Sequence, residues 1–155
     1  MTSESLDNLR EHLRVKDEEI VRLLNERARI SLQIGETKQR EGREIYDPSQ
    51  ESRIYARLGE INTGPLTERA LKVIFTEVLS ASRALQAPLT VGYLGPEGSF
   101  THVAAESHFG RSTTLSPQST IREVFDQVER DKADCGIVPV ENSPVSYTHL
   151  RAHET

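Results

Sequence analysis

Two cations, eleven positions apart on a long apolar stripe, are the first residues in this chain able to do chemistry. Arg27 and Lys38 stand at or beside positions where the pattern calls for apolar side chains, as do Arg10 and Asp17. Buried charge is costly unless it is paired or holds a ligand. At 100° per residue, Arg27 and Lys38 return to within about 20° of one helix face, roughly 16 Å apart along the axis. Two long cationic side chains so placed can close on one small polyanion. Arg10 precedes Arg27 by 17 positions and is displaced by about 100°, so it serves a different ligand or, in a homodimer, the partner's site. Ser82 and Gln86, four apart, put a hydroxyl and an amide on one helix face, and Asp47 and Glu51 bracket the start of another helix. Each has a plainer reading: cations paired with acids in a helix bundle, Asp47 as a cap, Ser82 as a small core residue, Gln86 as a surface amide.

These residues need long helices to position them. Residues 6–39 contain no Pro and only Gly35, with Leu6, Leu9, Leu13, Ile20, Leu24 and Ile34 recurring near a 3.5-residue spacing. One helix of this length spans about 50 Å and needs partners along its whole length, which self-association supplies. Asp47-Pro48-Ser49-Gln50 reads as the start of a second helix, with Asp47 as N-cap, Pro48 at the first helical position and Gln50 where a capping box wants Glu or Gln. That helix runs to about Ile61. After Asn62-Thr63-Gly64-Pro65, the residues Leu71, Ile74, Phe75, Val78, Leu79 and Leu85 mark a third helix ending before Pro88.

Beyond Pro88 the pattern changes to alternating strand and helix, the signature of a parallel α/β sheet. Residues 89–94 read as a strand and 95–98 as a turn. Ser99 caps a helix from Phe100 to Phe109, residues 112–115 are a strand, Ser119 caps a helix to about Arg130, and residues 135–140 are a third strand. Only three strands fit, which is part of a domain. The expected units are therefore 1–88, 89–143 and a tail, 144–155.

Composition narrows the function. With 35% hydrophobic residues, no Trp, four Phe and four Tyr, the chain has a lean core that a second copy would complete. A net charge of -5 argues against nucleic acid or an anionic membrane as partner. The lone Cys135 lies in an apolar strand and reads as packing, and the absence of a signal-like or membrane-length apolar run points to the cytoplasm.

Taken together, Leu9-Arg10, Glu26-Arg27, Gly35 with Lys38, Tyr46-Asp47-Pro48, Glu51 and the run from Ser80 through Ser82, Arg83 and Gln86 resemble the all-helical class of chorismate mutase, in the form fused to prephenate dehydratase. Tyr93-Leu94-Gly95-Pro96-Glu97-Gly98-Ser99-Phe100 and Gly136-Ile137-Val138-Pro139-Val140-Glu141-Asn142-Ser143 resemble the dehydratase motifs. The resemblance covers about residues 5–143. It implies an all-α, three-helix mutase in an intertwined dimer, followed by a truncated α/β fragment of periplasmic-binding-protein-like type. Its activity would be the rearrangement of chorismate to prephenate on the route to phenylalanine, without metal or cofactor.

By the same resemblance, Arg27 and the partner's Arg10 bind the substrate's carboxylates with help from Ser82. Lys38 and Gln86 donate to its ether oxygen, and Asp47 and Glu51 hold the ring hydroxyl region. Relatives often carry a cation where this chain has Gln50, which implies a weaker or water-mediated accessory contact. Gly95, Pro96, Glu97, Gly98, Ser99, Glu141, Asn142 and Ser143 would form the fragment's ligand loops.

After Ser143 the resemblance stops, and the last twelve residues resemble translated adapter sequence joined to a truncated gene, so dehydratase activity is not expected and the tail should be disordered. His149 and His153 are four apart, but two ligands on a terminal segment make only a weak metal site. The competing reading is a non-catalytic helical dimerisation module attached to an α/β fragment that binds an aromatic acid.

Overall fold

A computed structural model describes residues 4–140 and, for the backbone, 147–151. Helix α1 runs from Leu6 to Arg40, capped by the Ser5 side chain, which accepts from the Asn8 amide. Helix α2 spans Pro48–Ile61 and α3 spans Glu68–Gln86. As the sequence suggests, Asp47 caps α2, its carboxylate accepting from the Gln50 amide at 3.1 Å. The Gln50 side-chain oxygen accepts from Arg53.

Helix α1 is an arm. In a single chain it buries only Ser31 and Gly35, both toward its C-terminal third, where it lies against α3. Leu6, Leu9, Leu13, Ile20, Leu24 and Ile34 are all exposed, Leu13 by 63%. Such an apolar stripe offers roughly 1.5–3 kcal/mol per side chain on full burial. Helix α2 packs on α3 as well, tied to it by Tyr55 Oη and Thr76 Oγ1 at 2.9 Å.

The second half is an α/β unit: β1 (Thr90–Leu94), α4 (Phe100–Phe109), β2 (Thr114–Gln118), α5 (Ile121–Glu129) and β3 (Cys135–Pro139), with β4 at Tyr147–Arg151. The sheet order is β2-β1-β3-β4; β1 pairs in parallel with β2 and β3, and β4 runs antiparallel to β3. Alternation along the strands gives the sheet two faces. Val91, Tyr93, Cys135 and Ile137 join Ala105 and Phe109 of α4 in one core, together with Tyr46 and Leu89. On the other side Gly92 and Gly136 stand in register and admit α5; a Cβ at Gly136 would lie 2.7 Å from Val124 Cγ1.

Three expectations are corrected here. Strand β2 begins at Thr114 rather than Ser112 and continues through Pro117, which an edge strand tolerates. Thr120, not Ser119, caps α5, its side chain accepting from the Glu123 amide; Ser119 instead donates its backbone N–H to the Glu123 carboxylate. The tail is not wholly without structure, because Tyr147–Arg151 extends the sheet by pairing with β3, a strand edge otherwise left with open hydrogen-bonding groups. Cys135 is buried, as its strand setting predicts.

The two halves are packed together along α3. Glu77 accepts from the Arg111 amide at 3.1 Å, and Ser80 Oγ accepts from the Ser112 amide at 3.1 Å. Gly110 permits this approach: its φ is +78°, and a Cβ there would lie 2.5 Å from Ser80 Cβ.

Candidate active site

The seam between α1 and α3 brings together Arg27, Ser82 and Gln86. Arg27, Ser31 and Gly35 succeed one another at four-residue spacing, so they share the α1 face toward α3. Arg27 Nη1 donates to Ser82 Oγ at 3.2 Å, joining positions 55 residues apart. Ser82 in turn donates to the Val78 carbonyl at 2.9 Å, which fixes its lone pairs toward Arg27. One turn on, Gly35 lies under Gln86: a Cβ on it would come within 2.9 Å of Gln86 Cγ and 3.1 Å of its Oε1. Glycine is thus used in mid-helix, at a propensity cost of about 1 kcal/mol, to let the amide lie against α1.

Lys38 reaches across the turn after α1 and donates from Nζ to the Ile45 carbonyl at 3.0 Å. An ammonium has three donors, so this bond anchors the side chain and leaves two for a ligand. Glu51, on the first turn of α2, is buried to 18% exposure and lies 3.1 Å from Arg83 Nε. Burial pushes its carboxyl above the ordinary range; Arg83 opposes that, Asp47 adds to it, and Lys38 and Arg27 pull the other way. Arg27, Lys38, Asp47 and Glu51 therefore share one electrostatic environment, and Arg27 reaches Ser82 from it.

Arg10 is elsewhere. It sits on the free part of the arm, largely exposed, with Asp7 at 3.8 Å.

In the α/β unit, the loop from Gly95 to Ser99 follows β1 and leads into α4. Ser99 caps α4, accepting from the His102 amide at 3.3 Å, and donates to the Leu94 carbonyl; Gly95 donates to the Gln118 carbonyl at 2.8 Å. Gly98, at φ +83°, donates to His102 Nδ1 at 2.8 Å, and the His102 ring stacks on Tyr93 with centroids 5.0 Å apart. Pro96 and Glu97 are exposed at the tip. This loop stands at the carboxyl end of β1, beside that of β3, where the chain leaves toward opposite edges of the sheet and α/β proteins bind ligands. Glu141, Asn142 and Ser143, and likewise His153, lie outside the described residues, and His149 falls where only the backbone is described. Among the described residues no group of three or more His, Cys, Asp and Glu is placed to hold a metal. No described helix is long and apolar enough to cross a membrane.

Sequence reasoning named Arg83 only as part of a motif and missed its position. The residue is 6% exposed, its guanidinium lies over the Tyr46 and Phe109 rings at 5.4 and 5.8 Å, and Nη2 donates to the Phe109 carbonyl at 2.9 Å. The available signal was a cation four positions from Leu79, on the face of α3 that is buried.

A long helical arm packed with two shorter helices is a helical mutase class of fold, and comparison with known proteins agrees. The family "Chorismate mutase type II" matches residues 9–87, and "Prephenate dehydratase" matches residues 91–148. The chain belongs to the type II chorismate mutase family and carries part of a prephenate dehydratase domain. Among curated relatives, the bifunctional chorismate mutase/prephenate dehydratase of Aquifex aeolicus is 43% identical over 152 residues, covering 94% of this chain and 42% of the relative. The Escherichia coli K12 protein of the same name is 30% identical over 161 residues, with 92% and 42% covered. The chain thus spans about two fifths of the length of these relatives. Among solved structures, a chorismate mutase from Thermus thermophilus (form II) superposes with a TM-score of 0.52 at 34% identity, covering 54% of this chain and 94% of that one.

Proposed function

We propose that this chain rearranges chorismate to prephenate, acting in the cytoplasm as a homodimer whose sites combine residues of both copies. The observation that carries the reading is the seam itself: Arg27 held by Ser82, and Gln86 laid against Gly35, with Lys38 anchored beside them. Chorismate is a dicarboxylate with an enol-ether oxygen and a ring hydroxyl. Arg27 takes one carboxylate, assisted by Ser82. Arg10 of the partner subunit takes the other, the exposed apolar stripe of α1 supplying the surface that brings it there.

The reaction is pericyclic: a carbon–oxygen bond breaks while a carbon–carbon bond forms within one molecule, and no proton, nucleophile or metal takes part. Catalysis consists of holding the compact conformer in which the two carbons meet and stabilising negative charge that grows on the ether oxygen. Lys38 and Gln86 are the donors for that oxygen. Lys38 keeps its Ile45 bond while donating, and Gln86 lies in the space that the missing side chain of Gly35 leaves. Glu51 and Asp47 accept from the ring hydroxyl. We assign the loop of Gly95 to Ser99, with Glu141, Asn142 and Ser143 following β3, as the ligand loops of the dehydratase part, and 1–88 and 89–143 as the two units of the chain.

The test is loss of chorismate absorbance with the full chain beside Arg27→Ala. Turnover by the parent, lowered at least about a hundredfold in the variant, is expected from removing a partly buried charged contact. A soluble, helical, dimeric parent without turnover would overturn the reading in favour of a dimerisation module.

A further inference from the structure

Arg83 is absent from the roles assigned above, yet among the described residues it is the most deeply buried charge in the helical half, with 6% of its surface exposed. It stands on α3 between the face that meets α1 through Ser82 and the face that meets the 109–113 loop through Ser80. Its guanidinium touches both halves of the chain. On one side Nε lies 3.1 Å from Glu51 Oε2; on the other Nη2 donates to the Phe109 carbonyl at 2.9 Å, with the adjoining Tyr46 and Phe109 rings both near the guanidinium.

The Glu51 contact is within ion-pair distance but off the N–H direction, so Nε and Nη1 are buried without a hydrogen bond. Orphan donors in the interior cost free energy, and a cation kept there despite the cost is doing something an apolar residue cannot. Here what it supplies is charge beside Glu51. The groups facing Glu51 are Arg83 from α3, Asp47 at the start of α2, and Lys38 and Arg27 from α1. Of the cations, Arg83 acts on it most strongly and is the one not reserved for the substrate's carboxylates or ether oxygen.

We propose that Arg83 is a positioning residue for the mutase reaction, fixing the Glu51 carboxylate as the acceptor for the substrate's ring hydroxyl while the Phe109 carbonyl of the α/β unit holds Arg83 in place. The inference rests on the mutase reading. It makes the docked α/β unit part of the mutase site's support, since the carbonyl at the end of α4 restrains the guanidinium that restrains Glu51.

The experiment measures kcat and KM of the full chain against pH for the parent, Arg83→Gln, Arg83→Met and Arg83→Lys. Without the cation, Glu51 keeps its burial and loses its strongest opposing charge, so the acid limb of kcat/KM should move up by about 1 pH unit in the Gln and Met variants. Lys should return it toward the parent's position. An acid limb that stays put in the neutral variants, with activity unchanged or uniformly lowered across pH, would overturn the proposal. Failure of both neutral variants to fold would assign Arg83 to the fold alone and overturn it equally. A parent without chorismate turnover would instead be a failure of the mutase reading, visible before any variant is compared.

Discussion

Replacing Gly35 by alanine should separate catalysis from stability at a single methyl group. The added Cβ would stand 2.9 Å from Gln86 Cγ, 3.1 Å from its Oε1 and 3.2 Å from its Cβ. Ordinary carbon–carbon contact begins near about 3.5 Å, so the Gln86 side chain must retreat by roughly 0.6 Å or more, or turn to another rotamer. Gln86 lies at the end of α3 and is only half-buried, which lets it yield without disturbing the core. Helix propensity favours alanine over glycine by about 1 kcal/mol at this position, offsetting most of the local crowding. Stability should therefore stay within about 1 kcal/mol of the parent. Turnover should not. A donor displaced by a sizeable fraction of an ångström from a developing charge costs on the order of 10- to 100-fold in rate. The assay pairs urea unfolding with chorismate kinetics, kcat and KM resolved separately, and the loss should fall mainly on kcat because the ether oxygen gains charge only in the transition state. Activity within twofold of the parent would show that Gln86 is not the donor or that Gly35 does not place it. Loss of activity together with collapse of the fold would show that Gly35 serves packing only.

Three other perturbations test different parts of the argument. Arg10→Ala and Arg27→Ala should each be nearly inactive, but mixing and re-equilibrating them should recover activity approaching a quarter of the parent's, about what random pairing of chains leaves with one intact site in half the dimers; no recovery would exclude sites shared between copies. Gly136→Ala places a Cβ 2.7 Å from Val124 Cγ1 and 3.3 Å from Val128 Cγ2 and should destabilise the α/β unit by about 1–3 kcal/mol, read by urea unfolding; a neutral result would mean that α5 is not seated on the sheet there. Because Glu51 titrates above the ordinary carboxylate range, the folded chain holds its proton more tightly than the unfolded one. Its contribution to stability is then complete below the ordinary glutamate value and is lost as pH rises through the raised one. Activity runs the opposite way, needing the carboxylate, so kcat/KM should fall on acidification at a pH above that of a free glutamate; an acid limb at or below the free value would refute the assignment.

The helices were legible in the sequence from apolar period and local punctuation: Asp47 and Ser99 accept from amides three residues on, and Gly42, Pro65 and Gly110 stop or turn the chain, whereas the cap of α5 was placed one residue early. Strand β2 was harder. Pro117 reads as a turn, and only its place at the sheet's edge makes it compatible with a strand. Strand β4 was missed because nothing in its own residues signals pairing; its register is set by the free edge of β3. In the site, the Arg27 and Lys38 pairing followed from helix period alone, and Ser82 and Gln86 from a spacing of four. What periodicity does not reveal is how α1 and α3 are brought together. The near-contact of Gly35 with Gln86 and the burial of Arg83 are products of tertiary packing, the second depending on a carbonyl 26 residues away.

Helix α3 has several clients. Ser82 and Gln86 answer to α1, while Glu77 and Ser80 answer to the 109–113 loop, and Arg83 answers to Glu51 of α2 and to that loop. In an aligned set of relatives, a helix so divided should leave two separable records. Positions 82 and 86 should vary with residues of α1, and positions 77 and 80 with the residues at 109–113. Position 83 should stay tied to position 51 and to 109–113, and mutases that lack the α/β unit should have lost the arginine while keeping the serine beside it.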